Sequence, residues 1–287
     1  MKIVIVDKPE VKLEVQKNQL YVDGTGVPLR LMEMLVLGHD IKLSSKLVLK
    51  LAKEGIAIMY ISKHNEDMAL TLPQFSKNSE IKMAQYAALN QRLGMAKYFV
   101  DEKIKRHIKH LSSVGIKVDE PMWKEKVQQA DSVEQLLGVE GIFSKVYFQH
   151  YFALFSPALH KGKRSKRPAL DPVNAMLSYG YSIVYNLLTT KLYMVGFEPS
   201  ISYLHTPYRS HYALSSDFME LFRADINEKV LDWFNDGLLV VEDFKMKNGV
   251  YLSYESRKKI WPHVKSLMNY ISKEADKEIS LIRTAIA

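Results

Sequence analysis

The chain of 287 residues contains no cysteine. That absence excludes a disulfide framework, a thiolate zinc site, an iron-sulfur cluster and a cysteine nucleophile together, and it fits a reducing compartment. No apolar run approaches the roughly 20 residues that span a bilayer. Met1-Lys2 leads straight into Ile3-Val4-Ile5-Val6, too short for the core of a signal peptide. The expectation is a soluble, cytoplasmic protein with no membrane partner. The phosphate-loop pattern ending Gly-Lys-Ser/Thr, Gly-x-Gly-x-x-Gly, Gly-x-Ser-x-Gly and His-Glu-x-x-His are all missing, which argues against kinases, dehydrogenases and serine hydrolases.

What is present is positive charge and enough apolar residues for two cores. Lys and Arg number 40 against 32 Asp and Glu, a formal charge of +8, and 47% of residues are hydrophobic. A basic balance of this size points to an acidic partner such as nucleic acid.

From Lys2 to about Leu72 apolar residues alternate with polar ones, as in Lys12-Leu13-Glu14-Val15 and Gln19-Leu20-Tyr21-Val22, so this part reads as strands. Lys17-Asn18 and Asp23-Gly24-Thr25-Gly26 stand where tight turns are needed. One helix interrupts the strands, with Ser44 or Ser45 as its cap and Gly55 as its stop. Beyond Leu72-Pro73 the apolar period lengthens and the chain becomes helical. The segments are 78–111 with a break near Gly94, then 121–129, 132–155 and 172–195, and two more after Ser216 and Glu255. A late hairpin is expected where Leu238-Leu239-Val240-Val241 and Val250-Tyr251-Leu252-Ser253 flank Asn248-Gly249. The fold class is therefore α+β multidomain. A β-sandwich-like N-terminal domain over residues 1–75 precedes a mostly α-helical domain with one late β-hairpin over residues 76–287. Asp171 before Pro172 writes the clearest helix start, an N-cap followed by proline at N1.

Several residues could carry chemistry. Glu140 sits inside the apolar stretch Leu136-Leu137-Gly138-Val139 and Gly141-Ile142-Phe143, as a partly exposed helix residue or a ligand. His205 closes Ile201-Ser202-Tyr203-Leu204 before Thr206-Pro207, as a packed or capping imidazole or a ligand. Asp217 and Glu220 are spaced i, i+3, which puts them on one helix face and also spells a capping box. Lys161 to Pro168 holds five positive charges and no acid, as a phosphate contact or a solvated loop. Within it Arg164, Lys166 and Arg167 stand just before the fixed start at Asp171 and are the residues that would meet phosphates, those of DNA if the partner is nucleic acid. Lys103, Lys105, Arg106, His107, Lys109 and His110 read as a solvent face.

Taken in order, several motifs resemble the CRISPR-adaptation integrase and nuclease family, CRISPR-associated (Cas) protein one. They are Glu140-Gly141, Tyr147-Phe148, Arg164-Ser165-Lys166-Arg167-Pro168, Asp171-Pro172-Val173-Asn174-Ala175-Met176-Leu177, Gly196-Phe197-Glu198-Pro199, His205 and Asp217-Phe218-Met219-Glu220. The resemblance runs from about Glu140 to Arg257. It implies a homodimer that binds DNA, works with a small ferredoxin-like adaptation partner, and holds Mg²⁺ or Mn²⁺ through Glu140, His205 and Glu220, with Asp217 as a possible second acid. Ser215-Ser216 and Arg223-Ala224 depart from the family's usual apolar and Arg-Pro pattern. An oxygen-rich set with one imidazole suits either metal. The activity so implied is metal-dependent cleavage of DNA, and insertion of short segments into a CRISPR array by a 3′-hydroxyl. The alternatives are a non-catalytic DNA-binding scaffold and a metal phosphodiesterase acting on branched DNA or RNA.

Overall fold

The period-two alternation is realised as seven strands: β1 (Lys2–Val6), β2 (Leu13–Gln16), β3 (Gln19–Val22), β4 (Thr25–Pro28), β5 (Met32–Leu37), β6 (Ala57–Ile61) and β7 (Met68–Thr71). The computed structural model describes residues 2–61, 68–73, 78–208 and 211–286. The boundary expected at 75/76 lies outside the described residues. Two-residue turns close the hairpins β2–β3 and β3–β4. Lys17 and Asn18 take φ of 47° and 60°, Asp23 and Gly24 take 48° and 84°, the left-handed pairs whose twist matches the flanking strands.

β2, β3 and β4 form an antiparallel meander, while β1, β5 and β6 run parallel and β7 closes the order β1-β5-β6-β7 antiparallel to β6. Helix α1 (Ser45–Lys53) links β5 to β6, its Ser44 cap accepting the Leu47 amide at 3.2 Å. Leu20 of the meander, Leu35 and Ile58 of the larger sheet, and Leu47 and Leu51 of α1 share one core. The expected sandwich-like packing is present, with one sheet mixed: the helix between β5 and β6 lets them pair parallel, and β7 returns antiparallel to β6.

The helices are α2 (Ser79–Ala87), α3 (Arg92–Ser113), α4 (Glu120–Gln129), α5 (Val133–Phe152), α6 (Pro172–Val195), α7 (Ala213–Asn235) and α8 (Tyr254–Ile286). None of the described helices is long and apolar enough to cross a membrane. The expected break at Gly94 falls earlier, in a tight turn over 88–91, and Gly94 lies inside α3. The late hairpin pairs β8 (Phe244–Lys247) with β9 (Gly249–Leu252). Its first strand is not 238–241 as expected, because a turn centred on Asn248 sets Lys247 opposite Gly249.

The chain divides into two compact units that do not follow one boundary in sequence. One gathers Met1–Ala87, Asn186–Pro199 and Met268–Ala287, and the other Ala88–Tyr185 and Ser200–Leu267. In the second unit α6 begins as expected, with the Asn174 amide donating to Asp171 Oδ1 at 2.7 Å. Gly180 lets α6 meet α7 closely, since a Cβ there would lie 2.8 Å from Ile226 Cγ2.

Candidate active site

Helix α3 carries an apolar stripe, Phe99, Val100, Ile104, Ile108 and Leu111, and Lys103, His107 and His110 fall on that same buried side. The solvent face expected for this group is therefore corrected: spacing from Phe99 turns these three inward, while Lys109 stays exposed. Lys103, only 3% exposed, is a buried ammonium that must be paired. Its Nζ contacts Glu140 of α5 and lies 2.6 Å from Glu220 Oε2 of α7. One cation thus sits between two carboxylates. Ser144, one turn beyond Glu140, donates its hydroxyl to Glu140 Oε1 at 2.7 Å, and Arg223 Nε donates to Glu220 Oε1 at 2.9 Å. Burial pushes the Glu220 carboxyl up, but Arg223, Lys103 and His205 outweigh it and hold the group well below the usual carboxylate range.

His205 lies on the loop before α7, and α7 holds it. Asp217 is fully buried and accepts three successive backbone amides, from Tyr203 and Leu204 on Oδ2 at 2.8 and 3.0 Å and from His205 on Oδ1 at 3.0 Å. The same Oδ1 lies 2.8 Å from His205 Nδ1. Asp217 therefore caps no helix start: α7 begins four residues earlier, at Ala213, and the acid organises the loop instead. With Nδ1 engaged, His205 turns Nε2 toward Glu220, 3.9 Å from Oε1. Burial lowers the His205 imidazole, but the Asp217 hydrogen bond and charge raise it by more.

These groups line a cleft of about 590 Å³ together with Lys145, Lys163, Arg164, Lys166, Tyr181 and Arg223. The structure thus brings Glu140, His205 and Glu220 into one cleft, with Asp217 behind it. Of the basic loop, Lys166 reaches the lining and is exposed, Arg167 is exposed outside it, and Arg164 is half-buried. The Arg164 guanidinium donates to Asn174 Oδ1 at 2.8 Å and Ser178 Oγ at 3.1 Å and lies over the Tyr181 ring. Asn174 in turn accepts the Ser165 amide and donates to the Lys163 carbonyl. The loop is consequently tied to the first turn of α6. Sequence reasoning passed over Asn174, Tyr181 and Arg223 as site residues.

Among the described residues no three His, Asp or Glu side chains stand close enough to close on one ion. The donors nonetheless suit a hard divalent cation in kind. Glu220 Oε2 is buried and, although Lys103 Nζ lies against it, no well-aligned hydrogen bond reaches it. The His205 ring is oriented by a carboxylate behind it, the arrangement of metal-binding imidazoles. Lys103 Nζ contacts both acids, so a metal held by Glu140 and Glu220 would have to displace its ammonium.

The second unit thus draws two acids and an oriented imidazole into one cleft edged by lysines. The particular family follows from comparison. The sequence pattern of the family described as CRISPR associated protein Cas1 matches residues 4–266, and the chain belongs to that family. It is 27% identical over 288 residues to CRISPR-associated endonuclease Cas1 1 of Thermodesulfovibrio yellowstonii, covering 91% of this chain and 90% of that one. Against CRISPR-associated endonuclease Cas1 1 of Thermus thermophilus it is 30% identical over 244 residues, 82% of this chain and 75% of the other. In fold it is similar to a solved Cas1 protein from Thermotoga maritima, with a TM-score of 0.85 at 18% identity over 100% of this chain and 97% of that one. A casposase bound to integration product gives 0.78 at 22% identity over 93% and 82%.

Proposed function

We propose that this chain is a divalent-metal-dependent DNA endonuclease and integrase of CRISPR adaptation, which inserts short DNA segments into a CRISPR array by 3′-hydroxyl attack on a phosphodiester. The observation that carries this reading is the pair of acids, half-buried Glu140 and buried Glu220, drawn together around one ammonium with the Asp217-oriented His205 beside them. It is supported by the relatives named endonucleases, by the casposase bound to integration product, and by solved assemblies of similar fold described as a Cas1-DNA complex and as a Cas6-RT-Cas1–Cas2 complex. A second copy of the chain and a small ferredoxin-like protein are the expected partners.

Glu140, Glu220 and His205 Nε2 would hold Mg²⁺ or Mn²⁺, and a bound ion would supply Lewis-acid activation of the phosphodiester and charge stabilisation in its transition state. The remaining steps belong to the protein. Asp217 fixes the imidazole so that Nε2 faces the cleft. Arg223 balances the charge of Glu220. Lys163 and Lys166 on the tethered loop meet phosphate oxygens and align the strand. No side-chain nucleophile is required, because the attacking oxygen comes from water in cleavage and from a DNA end in strand transfer.

The test is strand transfer of a DNA with free 3′ ends into a plasmid bearing a CRISPR repeat, with the small partner and Mn²⁺ present. Glu140→Ala, His205→Ala and Glu220→Ala should each abolish both cleavage and transfer while the protein still folds and binds DNA, with a lowered Tm for Glu220→Ala because Lys103 and Arg223 lose their shared acid. Normal activity in any one of them removes that residue from the site. Cleavage without transfer in the wild type favours the phosphodiesterase reading.

A further inference from the structure

The late hairpin has no role in the cleft, yet it is docked on the basic loop. The Val250 amide donates to the Ala169 carbonyl at 2.9 Å, and Val250 packs with Ala169, Ala175 and Phe244. Gly249 allows the approach, because a Cβ there would lie 2.6 Å from Pro168 Cβ and 3.3 Å from the Ala169 oxygen. The turn of the hairpin is thereby seated immediately after Lys166-Arg167.

Strand alternation decides which side chains share a face. Phe244 and Val250 lie on the side that joins the small core. Lys245 and Lys247 lie on the other, paired across the strands with Tyr251 and Gly249, and that side abuts Pro168. Both lysines are exposed. Among the described residues neither has an acid within ion-pair distance, and the same holds for Lys163, Lys166 and Arg167. Just beyond the hairpin the pattern changes: Lys258 is paired with Glu255 and Lys259 with Asp243. Charges left without counter-ions on one joined surface are what a polyanion would neutralise.

We infer that the lysine face of the β8–β9 hairpin is a second DNA-contact surface, which carries the phosphate backbone onward from the basic loop and the cleft. This rests on the DNA-handling reading above. A strand of four residues extends about 13 Å, and duplex DNA carries one phosphate per roughly 3.4 Å on each strand. Two lysines therefore meet two phosphates without crowding. Such contacts position DNA and are indifferent to its sequence.

The experiment measures affinity for a fluorescent DNA duplex against salt concentration, using the full chain. Lys245→Ala with Lys247→Ala should lower the slope of log K against log salt by about 1.8, at about 0.9 per lost contact. The loss of affinity should be largest at low salt. A control with Lys229→Ala and Lys277→Ala, which removes the same charge from lysines paired with Asp232 and Glu274, should leave the slope unchanged. Lys245→Glu with Lys247→Glu should weaken binding further, with melting unchanged in every variant. Equal slopes in the hairpin and control variants overturn the inference and leave the DNA reading standing. Absence of wild-type DNA binding overturns both.

Discussion

Lys103 Nζ lies 2.6 Å from Glu220 Oε2, and the same ammonium contacts Glu140. Three charges from three helices thus meet in a buried place where the two acids would otherwise repel. Removing one partner of a buried ion pair costs about 3 to 5 kcal/mol, because the other charge stays behind unpaired. Lys103→Met should therefore lower the melting temperature of the metal-free protein. Added Mn²⁺ should restore more stability in this variant than in the wild type, since the ion then has no ammonium to displace. Thermal melts with and without Mn²⁺ check both statements, and an unchanged metal-free Tm contradicts the first.

Asp217 satisfies three backbone amides and one imidazole, so its loss exposes several donors at once. An unsatisfied buried donor costs about 1 to 3 kcal/mol. Asp217→Ala should destabilise the protein by at least that much and release the loop that carries His205. Hydrogen exchange at the amides of Tyr203, Leu204 and His205 should accelerate together. Retained protection at all three would contradict the assignment.

The buried imidazole of His107 makes stability depend on pH in a fixed direction. Burial, reinforced by the charge of Lys103, pushes this group down to about 3, whereas the unfolded chain takes up a proton near 6.5. Above that value both states are neutral and the full stability is present. Below it the unfolded state binds a proton that the folded state refuses, so stability falls by about 1.4 kcal/mol per pH unit until the folded value is reached. His110 shifts in the same direction through burial. His107→Gln should flatten the dependence of Tm on pH between about pH 6 and pH 4. An identical slope in the variant rejects this origin.

The edges of both N-terminal sheets bear on oligomeric state. β1 and β7 end one sheet and β2 and β4 the other, and strand edges invite pairing unless they are covered. Light scattering of the full chain at micromolar concentration should give twice the mass of one chain. A monomer rejects the expected homodimer.

Local chemistry made much of this architecture legible. Ser44, Asp171 with Pro172, and Lys17-Asn18 announce their caps and turns because the groups they satisfy lie within a few residues. The partners of Asp217 are the amides 12 to 14 residues earlier in the chain, and nothing local distinguishes that use of the carboxylate from a capping box. Lys103 was misplaced for a different reason. Its charge suggested solvent, although its spacing of three and four from Val100 and Phe99 already set it on the apolar side of α3. The parallel pairing of β1 with β5 joins residues about 30 apart, and alternation alone does not choose a partner.

Because Asp217 fastens residues 203–205 to α7, His205 and Glu220 travel as one body although no regular element carries the imidazole. Glu140 rides separately on α5. Further along the same two helices the Tyr151 hydroxyl of α5 donates to the Asn227 carbonyl of α7 at 2.8 Å, and at the site Lys103 on α3 spans the two acids like a bolt. A shift of α7 against α5 would leave the imidazole-to-carboxylate distance intact and change the gap to Glu140. A distance label on α5 paired with one on α7 would read the opening of the site directly, and a label on the His205 loop paired with one on α7 would stay constant.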